Sequence, residues 1–418
     1  MSSKGTALVI GGGIIGLSSA YYLLKDGWQI ILMDKGDFDD NASQGNAGML
    51  VPSHFIPLAA PGMVSKGIRW MFDSRSPFYV KPALDWSLFT WGMRFLRSAT
   101  AAKVERASAP LRDYHLLSQR LYRDLQAEPD FDFSLQNKGI LMLYKTDHAA
   151  QEELQVGAKA RALGLDIDIL NGKEVQVLEP HLKLDVLGAV HYRCDAHLNP
   201  AVLTSQLRAY LERKGAMLLS HAEVAGVRID RGRVTQVSTA DSNYDTDLLV
   251  MTGGAWLPAL ARMAGLNIPV MPGKGYSITE PVVGPALVHP ALLVEAKVAV
   301  TPLGGWIRYG GTMELGAMDH RINMRRVEGI VQAVPHYYPE LNPEVPAPEK
   351  IWYGYRPCSP DGLPYLGRAK GINNLIVAGG HGMMGISLGP ATGKLVAELA
   401  AGRSTCISLD IYNPGRFQ

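Results

Sequence analysis

The sequence predicts an α/β fold in which a doubly wound, dinucleotide-binding domain is interleaved with a second domain. Three observations indicate this fold. A glycine-rich turn follows the first apolar strand, two later apolar strands also run into glycines, and the stretches between them are rich in short strands and turns. Because the three glycine-ending strands lie near the start, middle and end of the chain, the first domain is assembled from all three regions. The intervening strands would form the second domain and cover the first.

The first predicted elements lie in the stretch "ALVIGGGIIGLSSAYYLLKDGWQIILMDK". The apolar run from Ala7 to Ile10 is typical of a buried strand, and three consecutive glycines end it. A helical period of apolar residues follows and stops at Gly27. A second apolar run, from Ile30 to Met33, ends at Asp34. The stretch therefore predicts strand, tight turn, helix and strand.

The glycines of this turn fit the G-x-G-x-x-G spacing of a dinucleotide site. Gly11 permits the turn, Gly13 lets a pyrophosphate approach the backbone, and Gly16 lets helix and strand pack closely. The start of the helix offers free N–H groups and a positive dipole end to the phosphates. Asp34, at the tip of the second strand, is placed to accept the hydroxyls of a ribose.

Composition narrows the class of protein. The chain has 418 residues, 41 Lys and Arg against 39 Asp and Glu, and a net charge of +2, so nothing in it indicates a nucleic-acid partner. Its three cysteines, Cys194, Cys358 and Cys406, are far apart, have no metal-ligand spacing and favour a reducing compartment. No apolar run is long enough to span a bilayer. We therefore expect a cytoplasmic protein without a metal site.

The two later glycine-rich strand ends extend the predicted site. The runs 248–254 and 374–385 each end in glycines. Since ligands of a doubly wound sheet lie outside the carboxyl ends of its strands, all three turns can converge on one elongated ligand. The last turn opens a helix near Ser387, whose dipole could stabilise negative charge on a ring carbonyl. A reduced flavin requires this, whereas a nicotinamide enzyme would need only the first turn.

The segment from Phe55 to Lys103 mixes Pro, Gly, aromatic and basic residues. Its predicted helix, from Asp85 to Leu96, spreads aromatic residues over most of its circumference and so must be buried or touch something apolar. A cap packed on the rest of the protein is one interpretation. Contact with a membrane surface is the other, and the neighbouring basic residues support it; they are Lys66, Arg69, Lys81, Arg94 and Arg97.

Motifs over about the full length resemble a known family. They are "VIGGGIIGLSSAYYL", Asp34, "ASQGNAGML", "AAPG", "RPCSPDGLPYLG" and "GGHGMMGISLGPATG", in this order. Together they resemble the FAD-dependent D-amino acid oxidase and dehydrogenase superfamily, and within it the bacterial D-amino acid dehydrogenase group. The resemblance implies a Rossmann-like FAD-binding domain interleaved with an α+β substrate domain that contains a mainly antiparallel sheet.

The resemblance also implies boundaries and cofactor contacts. The FAD-binding domain would comprise residues 1–54, 199–265 and 351–418, and the cap and substrate domain residues 55–198 and 266–350. Val224 resembles the residue whose backbone pairs with adenine. The expected FAD-binding residues are Gly11, Gly13, Ile14, Ile15, Gly16, Asp34, Lys35, Ser43, Asn46, Ala47, Gly48, Leu50, Val224, Gly253, Trp256, Gly382, Met383, Met384, Gly385, Ile386 and Ser387.

The candidate catalytic residues follow from what oxidation of an amino acid requires. A guanidinium grips a carboxylate through two parallel hydrogen bonds, and Arg356 in "YGYRPCSPDG" is our candidate for that group. The alternative is a structural ion pair. Arg308 could be a second cation or an exposed strand residue, while Tyr276 could donate a hydroxyl to the pocket or simply pack at its edge. His54 flanks a cofactor turn and completes the candidate set.

Three further residues refine the site. His381 is interpreted as a hydrogen-bonded turn residue rather than a base, because removal of hydride from an amine needs no strong base. Cys358 could tether the flavin, as in some amine-oxidising relatives, but a small buried side chain is favoured. In the final turn Met383 and Met384 replace the polar residue that oxidases of the family often have. This departure favours a substrate with an apolar or cyclic side chain.

The sequence therefore predicts FAD-dependent oxidation of D-amino acids, with D-proline or hydroxyproline as candidate substrates. Electrons would pass to a quinone or a carrier protein, on the inner face of the membrane if the cap docks there. An oxygen-using oxidase of glycine, sarcosine or another small amine is one alternative. A non-catalytic flavoprotein subunit of an electron-transfer complex is another. The oligomeric state is open.

Overall fold

The computed structural model describes residues 4–62, 78–80, 85–316 and 318–418. The α-helices of this part are α1 (Ile14–Lys25), α2 (Trp86–Ser98), α3 (Ala101–Gln126), α4 (Asp147–Ala162), α5 (Gly172–Leu178), α6 (Pro200–Arg213), α7 (Leu257–Met263), α8 (Met324–Tyr337) and α9 (Gly385–Ala400). Short 3₁₀ helices cover Gly254–Trp256, Pro348–Lys350 and Asp410–Tyr412. The strands are β1 (Thr6–Ile10), β2 (Gln29–Met33), β3 (Met49–Leu50), β4 (Phe78–Val80), β5 (Ile140–Tyr144), β6 (Ile167–Asn171), β7 (Gly188–Tyr192), β8 (Ala196–His197), β9 (Met217–Leu219), β10 (Gly226–Asp230), β11 (Arg233–Ser238), β12 (Asn243–Asp245), β13 (Leu248–Met251), β14 (Met271–Pro281), β15 (Ala291–Leu293), β16 (Val298–Pro302), β17 (Trp306–Leu315), β18 (Trp352–Cys358), β19 (Tyr365–Arg368) and β20 (Leu375–Gly379).

The first of the two large sheets has six strands, in the order β19-β20-β13-β1-β2-β9. Its strands pair in parallel except β19, which pairs antiparallel with β20 at one edge. Both faces are covered. Ala7 and Val9 pack towards α1, α3, α6 and α9, whereas Leu8 and Ile10 pack towards α7 and the small β10-β11-β12 sheet. Burial on both faces explains why these strands are continuous apolar runs, and the arrangement confirms the predicted doubly wound α/β fold.

Helices α1 and α9 pack closely against each other. A Cβ atom added at Gly393 would lie 2.4 Å from the backbone oxygen of Ser18, so a side chain at this position would push the helices apart. Gly16 brings α1 even closer to the turn before it, since a Cβ there would lie 1.8 Å from the oxygen of Gly11. The amino ends of α1 and α9 therefore point to the same side of the sheet, beyond its carboxyl edge.

A nine-stranded sheet is the second large element. Its order is β18-β14-β17-β16-β15-β5-β7-β6, with β4 paired to β17. The pairs are antiparallel except β15 with β5 and β17 with β4, which agrees with the expected mainly antiparallel sheet. Because Trp352–Cys358 pairs with β14, the chain returns to the six-stranded sheet after Cys358 and not at residue 351.

Local signals in the sequence agree with several element ends. The side chain of Asn199 caps α6 by accepting hydrogen bonds from Ala201 N and Val202 N, and Pro200 occupies the first turn. Asp85 caps α2 in the same way. Strand β17 is buried or half-buried along most of its length. Only Trp306 is exposed, because β17 is central in its sheet and α8 covers the face that holds Ile307 and Tyr309.

The aromatic side chains of helix α2 lie on two sides of the helix, one packed against the protein and the other exposed. Trp91 and Phe95 stack on each other and pack with Cys358, and the Trp91 indole donates to the Cys358 carbonyl oxygen at 2.9 Å. Trp86 and Phe89 also stack but face solvent, with 76% and 57% of their surfaces exposed. The basic residues at positions 66, 69 and 81 lie outside the described residues. In the parts described, no helix is both long and apolar enough to cross a bilayer.

Candidate active site

A cavity of about 1010 Å³ lies where the two sheets meet. Its floor is the carboxyl edge of the six-stranded sheet, because the residues that follow β1, β13 and β20 all line it. Its roof comes from β14, β17 and β18 of the nine-stranded sheet. The three glycine-rich turns therefore converge on one elongated cavity, as the sequence predicts.

One end of this cavity is built for a pyrophosphate. Gly11 has a φ of +109° and lies so close to the next strand that a Cβ would be 2.7 Å from the oxygen of Thr252. Helix α1 begins after Gly13 without a side-chain cap, and Ser43 Oγ accepts a hydrogen bond from Ile14 N at 3.0 Å. Ile14 and Ile15 of the first turn line the cavity, where the helix dipole favours negative charge.

The part of the cavity next to the pyrophosphate site fits a nucleoside. Asp34 accepts hydrogen bonds from Gly12 N at 2.6 Å and from Gly36 N at 2.8 Å, which fix its carboxylate at the tip of β2. A carboxylate oxygen has two lone pairs, so acceptor capacity remains for ribose hydroxyls. The Lys35 ammonium lies 3.8 Å from the centroid of the Trp256 ring. Val224 lines the same end.

Several buried polar atoms of the cavity wall lack a hydrogen-bond partner among the described residues. A buried, unpaired polar group is costly, so a wall with several of them fits a polar ligand that completes their bonds. These atoms are Thr312 Oγ1, Trp352 Nε1, Ser359 Oγ and His381 Nδ1. With the glycine turns and the uncapped helix, this donor and acceptor set fits a long dinucleotide with a ring system beneath the start of α9.

Arg356 brings a positive charge into the roof of the cavity. Its Nη1 donates to the Thr312 carbonyl oxygen at 2.5 Å, and a Cβ at Gly275 would lie 2.0 Å from the same nitrogen. Burial lowers the pKa of this guanidinium, an effect that the neighbouring Cys358 partly opposes. No carboxylate forms an ion pair with Arg356 in the part of the chain that the structure describes. The cation is therefore available to a ligand's anionic group.

Arg308 and Tyr276 have partners of their own. The Arg308 guanidinium donates to the carbonyl oxygens of Gln44, at 2.9 Å, and Asn46, at 2.6 Å, and so braces the 43–48 loop from behind. Its burial lowers its pKa to about 10. It is neither exposed nor part of the cavity wall. Tyr276 lines the cavity, but its hydroxyl donates to Glu314 at 3.0 Å.

His54 lies at the end of a hydrogen-bonded chain that the sequence does not reveal. The Ser53 hydroxyl donates to the buried Asp195 carboxylate at 2.5 Å and lies 3.2 Å from His54 Nδ1. Burial raises the pKa of Asp195 to about 7, although its bonds from Ser53 oppose the rise. Burial also lowers the pKa of His54 to about 4, with a smaller effect of Lys297. His54 is therefore a neutral imidazole in the cavity wall at physiological pH.

Two more histidines support the start of α9. His115 Nδ1 lies 2.8 Å from Ser387 Oγ, which also accepts from Val51 N at 2.9 Å. His381 Nε2 lies 3.0 Å from Thr392 Oγ1, in agreement with its interpretation as a hydrogen-bonded turn residue. Burial lowers the pKa of both imidazoles to about 3, and His54 and His381 further lower that of His115. No motif indicates His115, because this residue lies on α3, far from every stretch that resembles the family.

Strand β18 and the final glycine turn are joined directly. Gly382 N donates to the Pro357 carbonyl oxygen at 2.9 Å, and Cys358 and His381 form an isolated antiparallel bridge. Cys358 is buried among Trp91 and other apolar side chains. Burial raises the pKa of its thiol to about 12, despite the nearby Arg356, so the sulfur is protonated. This environment fits the interpretation of a small buried side chain.

The structure places the expected cofactor residues in two groups. Those that line the cavity are Gly11, Gly13, Ile14, Ile15, Asp34, Lys35, Ser43, Asn46, Ala47, Val224, Gly253, Trp256, Gly382, Met383, Met384, Gly385 and Ile386. Those behind the wall are Gly16, Gly48, Leu50 and Ser387. The residues behind the wall still determine the shape of the cavity. Gly48, for example, has a φ of +75°, and a Cβ there would lie 2.2 Å from the oxygen of Leu198.

The fold and this site define a dinucleotide-binding redox enzyme of the flavin-dependent type. The chain belongs to the FAD dependent oxidoreductase family, whose profile matches residues 6–399. FAD is therefore its cofactor, and the residues of the cavity wall fit that group. The family resemblance inferred from the motifs is confirmed.

Curated relatives match along almost the whole chain. A D-amino acid dehydrogenase of Methylobacterium radiotolerans is 31% identical over 421 residues, covering 98% of this chain and 99% of that protein. A D-amino acid dehydrogenase of Granulibacter bethesdensis is 28% identical, covering 95% and 96%. Among solved structures, glycine oxidase from Geobacillus kaustophilus has a TM-score of 0.78 at 24% identity, covering 100% of both chains. L-proline dehydrogenase from P. horikoshii has a TM-score of 0.73 at 20% identity, covering 100% and 98%. These two structures show that the fold is shared.

Proposed function

We propose that this enzyme is a D-amino acid dehydrogenase that oxidises its substrate to an imino acid, which then hydrolyses to a 2-oxo acid or remains cyclic if the amine is secondary. The names of the curated relatives support the substrate class. The observation that carries the proposal is Arg356, a guanidinium in the cavity wall that forms no ion pair with any carboxylate among the described residues. An α-amino acid offers the anionic group that such a cation needs.

Arg356 has the rigidity that substrate orientation requires. Its bond to the Thr312 carbonyl and its contact with Gly275 hold the guanidinium plane in one position. A carboxylate bound there by two hydrogen bonds would have both its position and its direction fixed, which in turn fixes the α-carbon. When bound, FAD supplies the acceptor, at flavin N5, for the hydride that leaves this carbon.

Other residues of the chain would prepare the site without carrying charge. The start of α9 would favour negative charge near the ring system, through its dipole. His54 and His381 are neutral at physiological pH, so neither adds a cation that would compete with Arg356 for the carboxylate. With a pKa of about 4, His54 is a poor proton acceptor, so it is not the base that removes the proton of the substrate amine.

The cavity wall favours a substrate with an apolar or cyclic side chain. Met383 and Met384 lie in the final turn, and Met142, Leu292 and Met313 line the wall on the side of the nine-stranded sheet. None of these side chains can satisfy a charged group, and the thioethers of the four methionines adapt to rings of different shape. We therefore propose D-proline, or D-hydroxyproline, as the first substrates to test.

We propose a quinone or an electron-carrier protein as the acceptor and the cytoplasm, at the inner face of the membrane, as the location. The exposed side of α2 supports this part of the proposal. Trp86, Phe89, Met93 and Leu96 recur at helical spacing on this side and are all exposed. Arg97 lies in the last turn of the same helix. An amphipathic helix with aromatic and basic residues of this kind favours the surface of anionic lipid.

A panel of D-amino acids tests the proposal. The holoenzyme should reduce an artificial dye with D-proline or another apolar D-amino acid and release no peroxide. Peroxide in proportion to substrate would instead show an oxidase of a small amine. No reaction with any D-amino acid, glycine or sarcosine would show a flavoprotein subunit that only relays electrons.

Arg356→Lys gives the matched test of the site. A lysine keeps the charge but loses the second parallel hydrogen bond, so KM should rise at least about tenfold, which corresponds to about 1.4 kcal/mol. Arg228→Lys, on an exposed strand, is the control and should leave KM unchanged. A KM in Arg356→Lys within twofold of the parent enzyme would contradict the assignment of Arg356.

A further inference from the structure

Thr312 has a backbone conformation that its side chain disfavours. Its φ is +61°, in the left-handed region, where a β-branched residue is a conformational outlier. The register between β14 and β17 shifts at the same place. Lys274 pairs with Glu314 and Tyr276 with Gly311, so Thr312 and Met313 together face Gly275. Thr312 therefore lies in a β-bulge in the roof of the cavity.

The bulge explains how Arg356 reaches its position. Strand β14 separates β18, which carries Arg356, from β17, which carries Thr312. The guanidinium crosses β14 at Gly275, where a Cβ would collide with it at 2.0 Å, and donates to the Thr312 carbonyl oxygen at 2.5 Å. A bulged residue is left out of the regular ladder, so its carbonyl oxygen is free to accept from a side chain. The strained backbone of Thr312 thus supplies the acceptor that holds Arg356.

The Thr312 hydroxyl has no hydrogen-bond partner among the described residues, and it is buried. It belongs to the residue whose carbonyl contacts Arg356 Nη1, and Thr312 and Arg356 both line the cavity. A buried hydroxyl without a partner, next to a guanidinium that forms no ion pair among the described residues, offers a neutral donor beside a charged one. The two groups together match the acceptor oxygens of one carboxylate.

We propose that Thr312 and Arg356 form a two-part carboxylate clamp, in which the Thr312 carbonyl positions the guanidinium and the Thr312 hydroxyl donates a hydrogen bond to the same substrate carboxylate. This inference rests on the proposed function of the site. It assigns to Thr312 a role that no sequence motif indicates, and it gives a reason for retaining a β-branched residue in a conformation that glycine would adopt without strain.

Three substitutions separate the hydroxyl from the backbone. Thr312→Ser keeps the hydroxyl, Thr312→Ala removes it, and Thr312→Gly removes it while relieving the strain. The probe is cyclopentanecarboxylate, which carries the carboxylate but no amine to oxidise, and its dissociation constant is measured on the holoenzyme by calorimetry.

We expect Thr312→Ala and Thr312→Gly to weaken carboxylate binding at least about fivefold and to raise KM for the D-amino acid equally, with kcat within twofold. Thr312→Ser should bind within twofold of the parent enzyme. Thr312→Gly should also raise the melting temperature, and it keeps the test valid if Thr312→Ala does not fold.

Two results would overturn the clamp while leaving the proposed function intact. One is carboxylate binding in the folded hydroxyl-free variants that stays within fivefold of the parent. The other is a Thr312→Ser variant as weak as Thr312→Ala. If instead the parent enzyme binds no carboxylate and oxidises no D-amino acid, the proposed function itself fails.

Discussion

The contact between α1 and α9 gives a quantitative prediction, because a single methyl group at Gly393 would fall on backbone. The added Cβ of Gly393→Ala would lie 2.4 Å from the oxygen of Ser18, whereas real contacts of this kind are essentially never below 3.0 Å. A carbonyl of helix α1 cannot rotate away as a flexible side chain can. The two helices must therefore separate by half an ångström or more, within the largest buried core of the protein.

The magnitude follows from two opposing effects. Replacing glycine by alanine inside a helix gains about 1 kcal/mol, while overpacking a rigid core costs about 1–3 kcal/mol, and a backbone clash belongs at the upper end. We expect Gly393→Ala to lower the free energy of unfolding by about 2 kcal/mol. Because the amino ends of both helices border the cavity, the variant should also release FAD more readily.

Gly92→Ala is the matched control. Gly92 lies in α2 with ordinary helical φ, and an added Cβ there meets nothing within 4 Å, so the variant should gain about 1 kcal/mol from helix propensity alone. Urea unfolding followed by circular dichroism measures both changes, and flavin fluorescence measures release. If Gly393→Ala were as stable as Gly92→Ala and retained FAD fully, the role of the helix contact would be refuted.

Two further predictions concern groups behind the cavity wall. Burial raises the pKa of Asp195 from 3.8 to about 7, so between these pH values the folded protein keeps a proton that the unfolded chain has lost. The free energy of unfolding should therefore fall by about 4 kcal/mol as the pH rises from about 4 to about 7. Asp195→Asn should remove this slope from stability curves measured across that range, and an unchanged slope would contradict the assignment. Arg308→Met removes Nη1, which donates to both the Gln44 and the Asn46 carbonyl oxygens, and should weaken FAD retention about tenfold in a dilution assay. Arg228→Met is the control, and equal retention in the two variants would show that the loop does not need the Arg308 bonds.

The part of the site nearest the glycine turns could be predicted from the sequence. Spacing alone indicated Gly11 and Asp34, because strand, turn, helix and acid occur within one short stretch whose local structure fixes their geometry. The convergence of the three turns also followed, since strand ends of a parallel sheet share one edge. In these cases a rule about local conformation or strand direction is enough to predict where the residues lie.

Groups that depend on pairing between distant segments could not be predicted. Ser53 and Asp195 are 142 positions apart, and no sequence pattern indicates that their side chains form a hydrogen bond. Thr312 reads as an ordinary strand residue until the β14–β17 register is known. Arg308 could not be placed for a related reason. A charged residue in a strand suggests exposure, but Arg308 is buried because its guanidinium donates to the carbonyl oxygens of Gln44 and Asn46, in a distant loop.

The direct link between β18 and the final glycine turn has a consequence for engineering substrate choice. The strand that carries Arg356 is hydrogen-bonded, through Pro357, to the turn that carries Met383. A chimera that takes its nine-stranded sheet from a relative would therefore have a poorly matched contact between β18 and the final turn, unless the final turn came from the same relative. Residues 356–359 and 380–385 should be exchanged as one module, even though the linear sequence places them in separate blocks.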